Sequence, residues 1–136
     1  MLTSPQTITP LLTFTGQAEE AMAFYTSLFD RSEVLSIRRY GPGDVGAEGS
    51  VMHATFTLRG QPFMCIDSPP VHDWTFTPAL SLAVACRTDE EIGRLFARLS
   101  QGGAVFMPLG TYPFAEQFAW VSDRYGVSWQ LTLDRG

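Results

Sequence analysis

A chain of 136 residues with 45% hydrophobic and 17% charged side chains carries enough apolar mass to bury a core as one soluble domain, which excludes a disordered or repeat-only polypeptide. Its net charge of −5, with nine Lys and Arg placed singly or in the one pair Arg38-Arg39, has the wrong sign and pattern for a nucleic-acid or anionic-membrane partner. No apolar run approaches the roughly 20 residues of a membrane helix; residues 1–15 lack the Lys and Arg of a leader peptide; and Cys65 and Cys86 have neither finger nor CxxC spacing, so free thiols in a cytoplasmic setting are expected.

In chain order, residues Thr7 to Phe14 favour a strand that Gly16 ends. Ala18 to Phe29 then sets Ala18, Ala21, Met22, Tyr25, Leu28 and Phe29 at helical spacing, with Glu19 and Glu20 in the first turn where the helix dipole favours acids. Strands follow at Glu33 to Tyr40, Val51 to Leu58 and Gln61 to Asp67, the last two joined by Arg59-Gly60 as a tight hairpin. Ser68 to Pro78 holds three of the nine prolines and no periodicity, and reads as a linker.

After the linker the pattern restarts. Ala79 to Cys86 is a strand; Thr88-Asp89-Glu90-Glu91 is a capping box opening a helix through Leu99, which Gly102-Gly103 ends; Ala104 to Leu109 is a strand. The terminal stretch Phe118 to Leu131 reads as a hairpin around Asp123-Arg124-Tyr125-Gly126, with Asp123 bonding the turn backbone and Gly126 free to take φ > 0. Trp129, Leu131 and Leu133 then share one face, while Ser128, Gln130 and Thr132 share the other. The two helices align, Glu19-Glu20-Ala21 with Glu90-Glu91-Ile92 and Phe24-Tyr25 with Leu95-Phe96. That offset of about 70 residues exceeds the roughly 20 to 50 of solenoid repeats and implies two paired modules in one domain, residues 7–67 and 79–133 joined by 68–78.

Two tandem βαβββ modules resemble the glyoxalase, bleomycin-resistance and extradiol-dioxygenase group, the vicinal oxygen chelate superfamily. The segments Ile8-Thr9-Pro10, Gly16-Gln17-Ala18-Glu19-Glu20-Ala21 with Phe24-Tyr25, Gly49-Ser50-Val51-Met52, Gly60-Gln61-Pro62-Phe63 and Asp123-Arg124-Tyr125-Gly126-Val127-Ser128-Trp129-Gln130 are similar to its PhnB-like branch, labelled 3-demethylubiquinone 3-methyltransferase-like. The resemblance implies an α+β fold of two curved mixed sheets around a cavity, and a homodimer. It also implies, in metal-dependent members, His, Gln or Glu ligands on the first, fourth, fifth and eighth strands. Carried over, those positions fall on Pro10, Cys65, Ser81 and Gln130, a set that holds a divalent ion poorly, so a metal-free pocket with no cofactor is expected. Methyl transfer lacks support in the residues: Gly16 stands alone before the first helix and no GxGxxG occurs.

Three residues offer chemistry. His53 and Cys65 on neighbouring strands invite a nucleophile-and-base reading, but a two-residue Arg59-Gly60 loop pairs Ala54 with Cys65 and sends His53 to the opposite side of the sheet. Asp67 is a general base if buried, and a turn residue otherwise. His72, beside Asp73 and Trp74, belongs to a surface loop. Trp120 with Phe63 and Phe114 would line an apolar cavity, with Cys65 as a small lining thiol and Gln130, Ser81 and Gln117 orienting a flat ligand; a solid core has the same pattern, and both readings stand. Phe76, Trp74, Tyr112 and Phe114 fall in expected loops, to be covered by a second copy or folded back as lids. The expectation is a small-molecule binder. An enzyme of the same superfamily with an unusual site and an oligomeric structural protein are the alternatives.

Overall fold

The computed structural model describes residues 8–135, and it divides between Asp73 and Trp74 into two compact units. The first unit contains β1 (Leu11–Phe14), α1 (Ala18–Leu28), β2 (Glu33–Arg39), β3 (Val51–Leu58) and β4 (Gln61–Asp67). The second contains β5 (Ser81–Cys86), α2 (Asp89–Ser100), β6 (Ala104–Tyr112), β7 (Ala115–Ser122) and β8 (Ser128–Leu133). Each unit forms one mixed four-stranded sheet, ordered β1-β4-β3-β2 and β5-β8-β7-β6, with the first strand parallel to the fourth and the other pairings antiparallel. The repeat seen in the sequence is therefore a repeat of topology. No helix among the described residues is long and apolar enough to cross a membrane.

In the first unit Ala18, Ala21, Met22, Tyr25 and Leu28 form the buried stripe of α1. They cover Ala54 and Phe56 of β3 and Phe63 and Cys65 of β4, all buried. The hairpin after β3 has the expected register, Leu58 opposite Gln61 and Ala54 opposite Cys65, with Arg59 at φ 52° and Gly60 at φ 81°. Both positive angles belong to the tight turn whose twist matches the strands.

In the second unit Thr88 Oγ1 accepts the Glu91 N–H at 3.0 Å. Glu91 Oε1 reaches back to the N–H of Arg87, at 2.7 Å, rather than to that of Thr88, so the box closes one residue early. Ile92, Leu95 and Leu99 bury against the side of the sheet that carries Ala119, Val121, Trp129 and Leu131. The 123–126 turn is tied down by one carboxylate. Asp123 Oδ1 accepts the N–H groups of Tyr125 (2.8 Å) and Val127 (3.1 Å), Oδ2 accepts the Trp129 indole at 2.9 Å, and Gly126 takes φ 94°.

Beyond shifts of a residue at the helix ends and an earlier start of β7 at Ala115, four boundaries differ from the expectation. Strand β1 begins at Leu11, with Thr7 outside the described residues, although the Pro10 carbonyl still accepts the Met64 N–H. Strand β2 ends at Arg39, and β5 begins at Ser81 rather than Ala79. Strand β6 runs past Leu109 to Tyr112, so Tyr112 is a strand residue and only Pro113 and Phe114 form the loop. Register shifts along β6 and β7 absorb Pro108, which edge strands tolerate.

Candidate functional site

Each sheet has one face covered by its helix and one turned away from it, and the strand alternation assigns residues to the two. In the first unit Asp67 fixes the assignment. Its Oδ1 accepts the N–H of Gly16 (2.8 Å) and of Ala18 (3.0 Å) at the start of α1, while Oδ2 accepts the N–H of Val51 at 3.0 Å. Asp67 is thus on the helix side, and Cys65 and Phe63, two and four residues before it, share that side. Phe63 stacks on Phe56 at 5.5 Å, and Cys65 has no exposed surface. The sequence put Phe63 and Cys65 among the candidate lining residues; their place is the buried layer between sheet and helix.

The catalytic candidates part in the same way. His53 lies on the uncovered face, where its Nε2 meets Met64 Sδ at 3.2 Å. Cys65 is on the other face, its thiol pushed up to about 12 by burial and, secondarily, by the Asp67 carboxylate. A thiol so far from ionisation is no nucleophile at neutral pH. Asp67 spends both oxygens on backbone N–H groups that α1 and β3 would otherwise leave unpaired. His53 and Cys65 thus lie on opposite faces, as the two-residue loop implies, and Asp67 takes the turn role rather than that of a base. His72 is a half-buried loop residue bonded to Ser68 Oγ at 2.9 Å. A cleft of about 140 Å³ lies beside the Asp67 cap, lined by Thr15, Gly16, Gly46, Ala47, Ser50 and Pro69 among others. It is well below the roughly 300 Å³ at which small-molecule pockets begin.

The second unit brings its candidates together. On the face away from α2, Trp120 of β7 is opposite Gln130 of β8, which is opposite Ala83 of β5, and Ser81 is opposite Ser128. The Trp120 indole N–H donates to Ser128 Oγ at 2.8 Å, Ser128 Oγ and Ser81 Oγ share a hydrogen bond of 2.7 Å, and Gln130 Nε2 donates to Ser81 Oγ at 3.5 Å. An aromatic wall continues from this polar knot. Phe106 meets Trp120 edge-on at 5.5 Å, and Phe118 is edge-on to both Tyr112 (5.9 Å) and Phe114 (4.9 Å). Phe114 itself is 64% exposed in its loop. Gln117 is half-buried next to a register shift and hydrogen-bonds to none of the cluster among the described residues. Ser128 and Phe106 were missed as site residues. The i, i+2 relation of Ser128 to Gln130 was a usable signal, whereas Phe106 depends on how β6 pairs with β7.

The two units give a test for the divalent ion that the fold resemblance implies. Ser68 N–H donates to the Phe14 carbonyl, and Asp134 N–H to that of Cys86, which marks equivalent points. Counting back four residues makes Met64 the equivalent of Gln130, and counting back five from Phe14 and Cys86 pairs Thr9 with Ser81. The positions on the uncovered faces are therefore Thr9 and Met64 in one unit and Ser81 and Gln130 in the other, one step from the Pro10 and Cys65 expected. In neither unit does the pair supply an anionic donor, and His53 beside Met64 adds a single imidazole, so neither pair fits a hard or borderline divalent cation. Among the described residues no three His, Cys, Asp or Glu side chains cluster. A nucleotide-type methyl donor fits no better: in the turn before α1, where a cofactor would sit, the N–H groups of Gly16 and Ala18 are held by Asp67.

Comparison with known proteins places this geometry. The family described as 3-demethylubiquinone-9 3-methyltransferase matches residues 6–132. A solved structure described as a putative 3-demethylubiquinone-9 3-methyltransferase, PhnB protein, from Bacillus cereus is 62% identical, with a TM-score of 0.93 over 95% of this chain and 100% of that one. Protein YjdN of Escherichia coli strain K12 is 24% identical over 140 residues, 93% of this chain and 94% of its own length. A glyoxylase/bleomycin resistance protein/dioxygenase domain from Frankia sp. EAN1pec has a TM-score of 0.64 at 17% identity, covering 97% of this chain and 94% of that one, and shares the fold.

Proposed function

The chain belongs to the 3-demethylubiquinone-9 3-methyltransferase family of PhnB-like proteins, with the glyoxalase/bleomycin-resistance fold, and from that premise we propose that it binds a small apolar or aromatic molecule without a metal. The observation that carries the reading is the hydrogen-bonded knot of Ser81, Ser128, Trp120 and Gln130 beside the rings of Phe106 and Phe118. A few fixed polar groups against an aromatic wall are what a ligand seat requires, and no charged side chain takes part in the network. Methyl transfer and metal-assisted chemistry are not part of the reading, because the residues at those positions suit neither group. Thermal unfolding against a panel of uncharged aromatic compounds and a panel of divalent metals tests it. The melting temperature rises with members of the first panel; a rise with the metals alone would overturn the proposal.

The same reading has the chain as a cytoplasmic homodimer. Cys65 and Cys86 are buried thiols outside any disulfide, in keeping with a reducing compartment. Trp74 and Leu80 of the second unit are 58% and 73% exposed, and large apolar side chains in that state suit a covering copy. Light scattering after size-exclusion chromatography gives twice the mass of the 15.0 kDa chain if the proposal holds, and the chain mass if it fails.

A further inference from the structure

The hydrogen-bond chain on the second unit's uncovered face has a direction, and the direction selects a ligand. An indole N–H can only donate, so Ser128 Oγ accepts from Trp120. Ser128 is 1% exposed, and its remaining partner among the described residues is Ser81 Oγ. A buried hydroxyl proton needs an acceptor, so the Ser128 O–H donates to Ser81. Ser81 Oγ also accepts from Gln130 Nε2. Both of its lone pairs are then taken, and its own O–H points to whatever lies over the face. Gln130 Oε1 receives no hydrogen bond among the described residues and stands as an acceptor on the same side chain. Ser81 and Gln130 are half-buried, and the exposed Ala83 opposite Gln130 has no atoms beyond Cβ to cover them.

We infer that this face recognises an uncharged cis-amide edge on an aromatic frame, a lactam or carboxamide fused to or carried by a ring. The carbonyl of the ligand accepts from the Ser81 O–H, its N–H donates to Gln130 Oε1, and its ring lies against Trp120, Phe106 and Phe118. The inference rests on the reading of this face as a binding seat and names the chemistry that the seat prefers. A charged ligand would lose its hydration there with no counter-charge in the network. A ligand lacking either polar group would leave Ser81 or Gln130 unpaired beneath it, which is how a hydrogen-bonding site discriminates.

The test uses the full chain and three probes of one size: a benzo-fused six-membered lactam, the ketone in which CH2 replaces its N–H, and the parent hydrocarbon. Affinities are read from the shift of the Trp120 indole signal in nitrogen-15 spectra. The lactam binds about tenfold more tightly than the ketone, the worth of one buried hydrogen bond, and Gln130→Leu removes that advantage. Should Gln130→Leu fail to fold, Ser81→Ala serves instead, and it weakens lactam and ketone alike relative to the hydrocarbon. Equal affinity of lactam and ketone for the unmodified protein would overturn the inference while leaving the seat in place. Three probes that leave the indole signal unmoved would overturn both.

Discussion

Replacing Asp123 by Ala removes the acceptor of three N–H groups at 2.8, 3.1 and 2.9 Å from a residue only 2% exposed. Hydrogen bonds to a charged group contribute about 1.5–3 kcal/mol each. Their sum overstates the loss, since water can enter the vacated corner and rescue the Tyr125 and Val127 amides, while the Trp129 indole, 1% exposed, is reached least. An expected cost of about 3–5 kcal/mol follows, a large part of the roughly 5–15 kcal/mol that holds a domain together. Urea unfolding followed by far-ultraviolet circular dichroism measures it, and a slope of about 1.5 kcal/mol per molar converts it to a midpoint shift of about 2–3 M. Asp123→Asn separates the parts. The amide keeps Oδ1 for the turn but presents N–H to the Trp129 indole, so it costs about 1–3 kcal/mol, and Trp129→Phe makes the Asn variant less costly than in the parent. A midpoint for Asp123→Ala within 0.5 M of the parent would refute the reasoning that this carboxylate organises the hairpin, on the same slope of about 1.5 kcal/mol per molar.

Asp67→Ala strips the cap from α1 and the partner from Val51, and is expected to cost about 2–4 kcal/mol in the same unfolding assay; a cost below about 0.5 kcal/mol would contradict its structural assignment. Because the folded Cys65 thiol is pushed up to about 12, above its unfolded value near 9, the contribution of this group to stability is constant below about pH 8.5. Above that the unfolded thiol ionises first, and stability falls by up to about 1.4 kcal/mol per pH unit until the folded thiol titrates. Cys65→Ala flattens this part of the profile; an unchanged slope would count against the burial argument. Gly103→Ala brings a Cβ onto the Ser122 carbonyl oxygen and within 2.8 Å of the Asp123 carbonyl carbon, so the variant loses about 2 kcal/mol or more, and an unaltered melting temperature would show that the β6–β7 contact is looser than described.

The elements were legible because their signals are local. The Thr88 box, the apolar stripe from Ala18 to Leu28 and the Arg59-Gly60 and Asp123 to Gly126 turns each act within a few residues. The hairpin even separated His53 from Cys65 correctly. Which of those two faces the helix covers was not legible, since β4 alternates Phe63 and Cys65 with Pro62, Met64 and Ile66, apolar on both sides. Asp67 decides it through bonds to Gly16 and Val51, residues 51 and 16 positions away. The ligand-equivalent positions slipped for the same reason, because the parallel register of β1 with β4 is not written in either strand. In the second unit alternation alone put Gln130 on the polar face of its strand and Trp120 beside Phe118, whereas Ser81 entered through the family resemblance. Their link through Ser128 required the register of three strands at once.

Equilibrium dialysis of the purified protein against a mixture of divalent metals and an uncharged bicyclic aromatic lactam tests the central claim most directly, with metals counted by mass spectrometry and the organic compound by absorbance on both sides of the membrane. The account predicts enrichment of the organic compound with the protein, lost in Trp120→Ala, and no enrichment of any metal. A divalent metal retained at one per chain, with the organic compound evenly distributed, would contradict it.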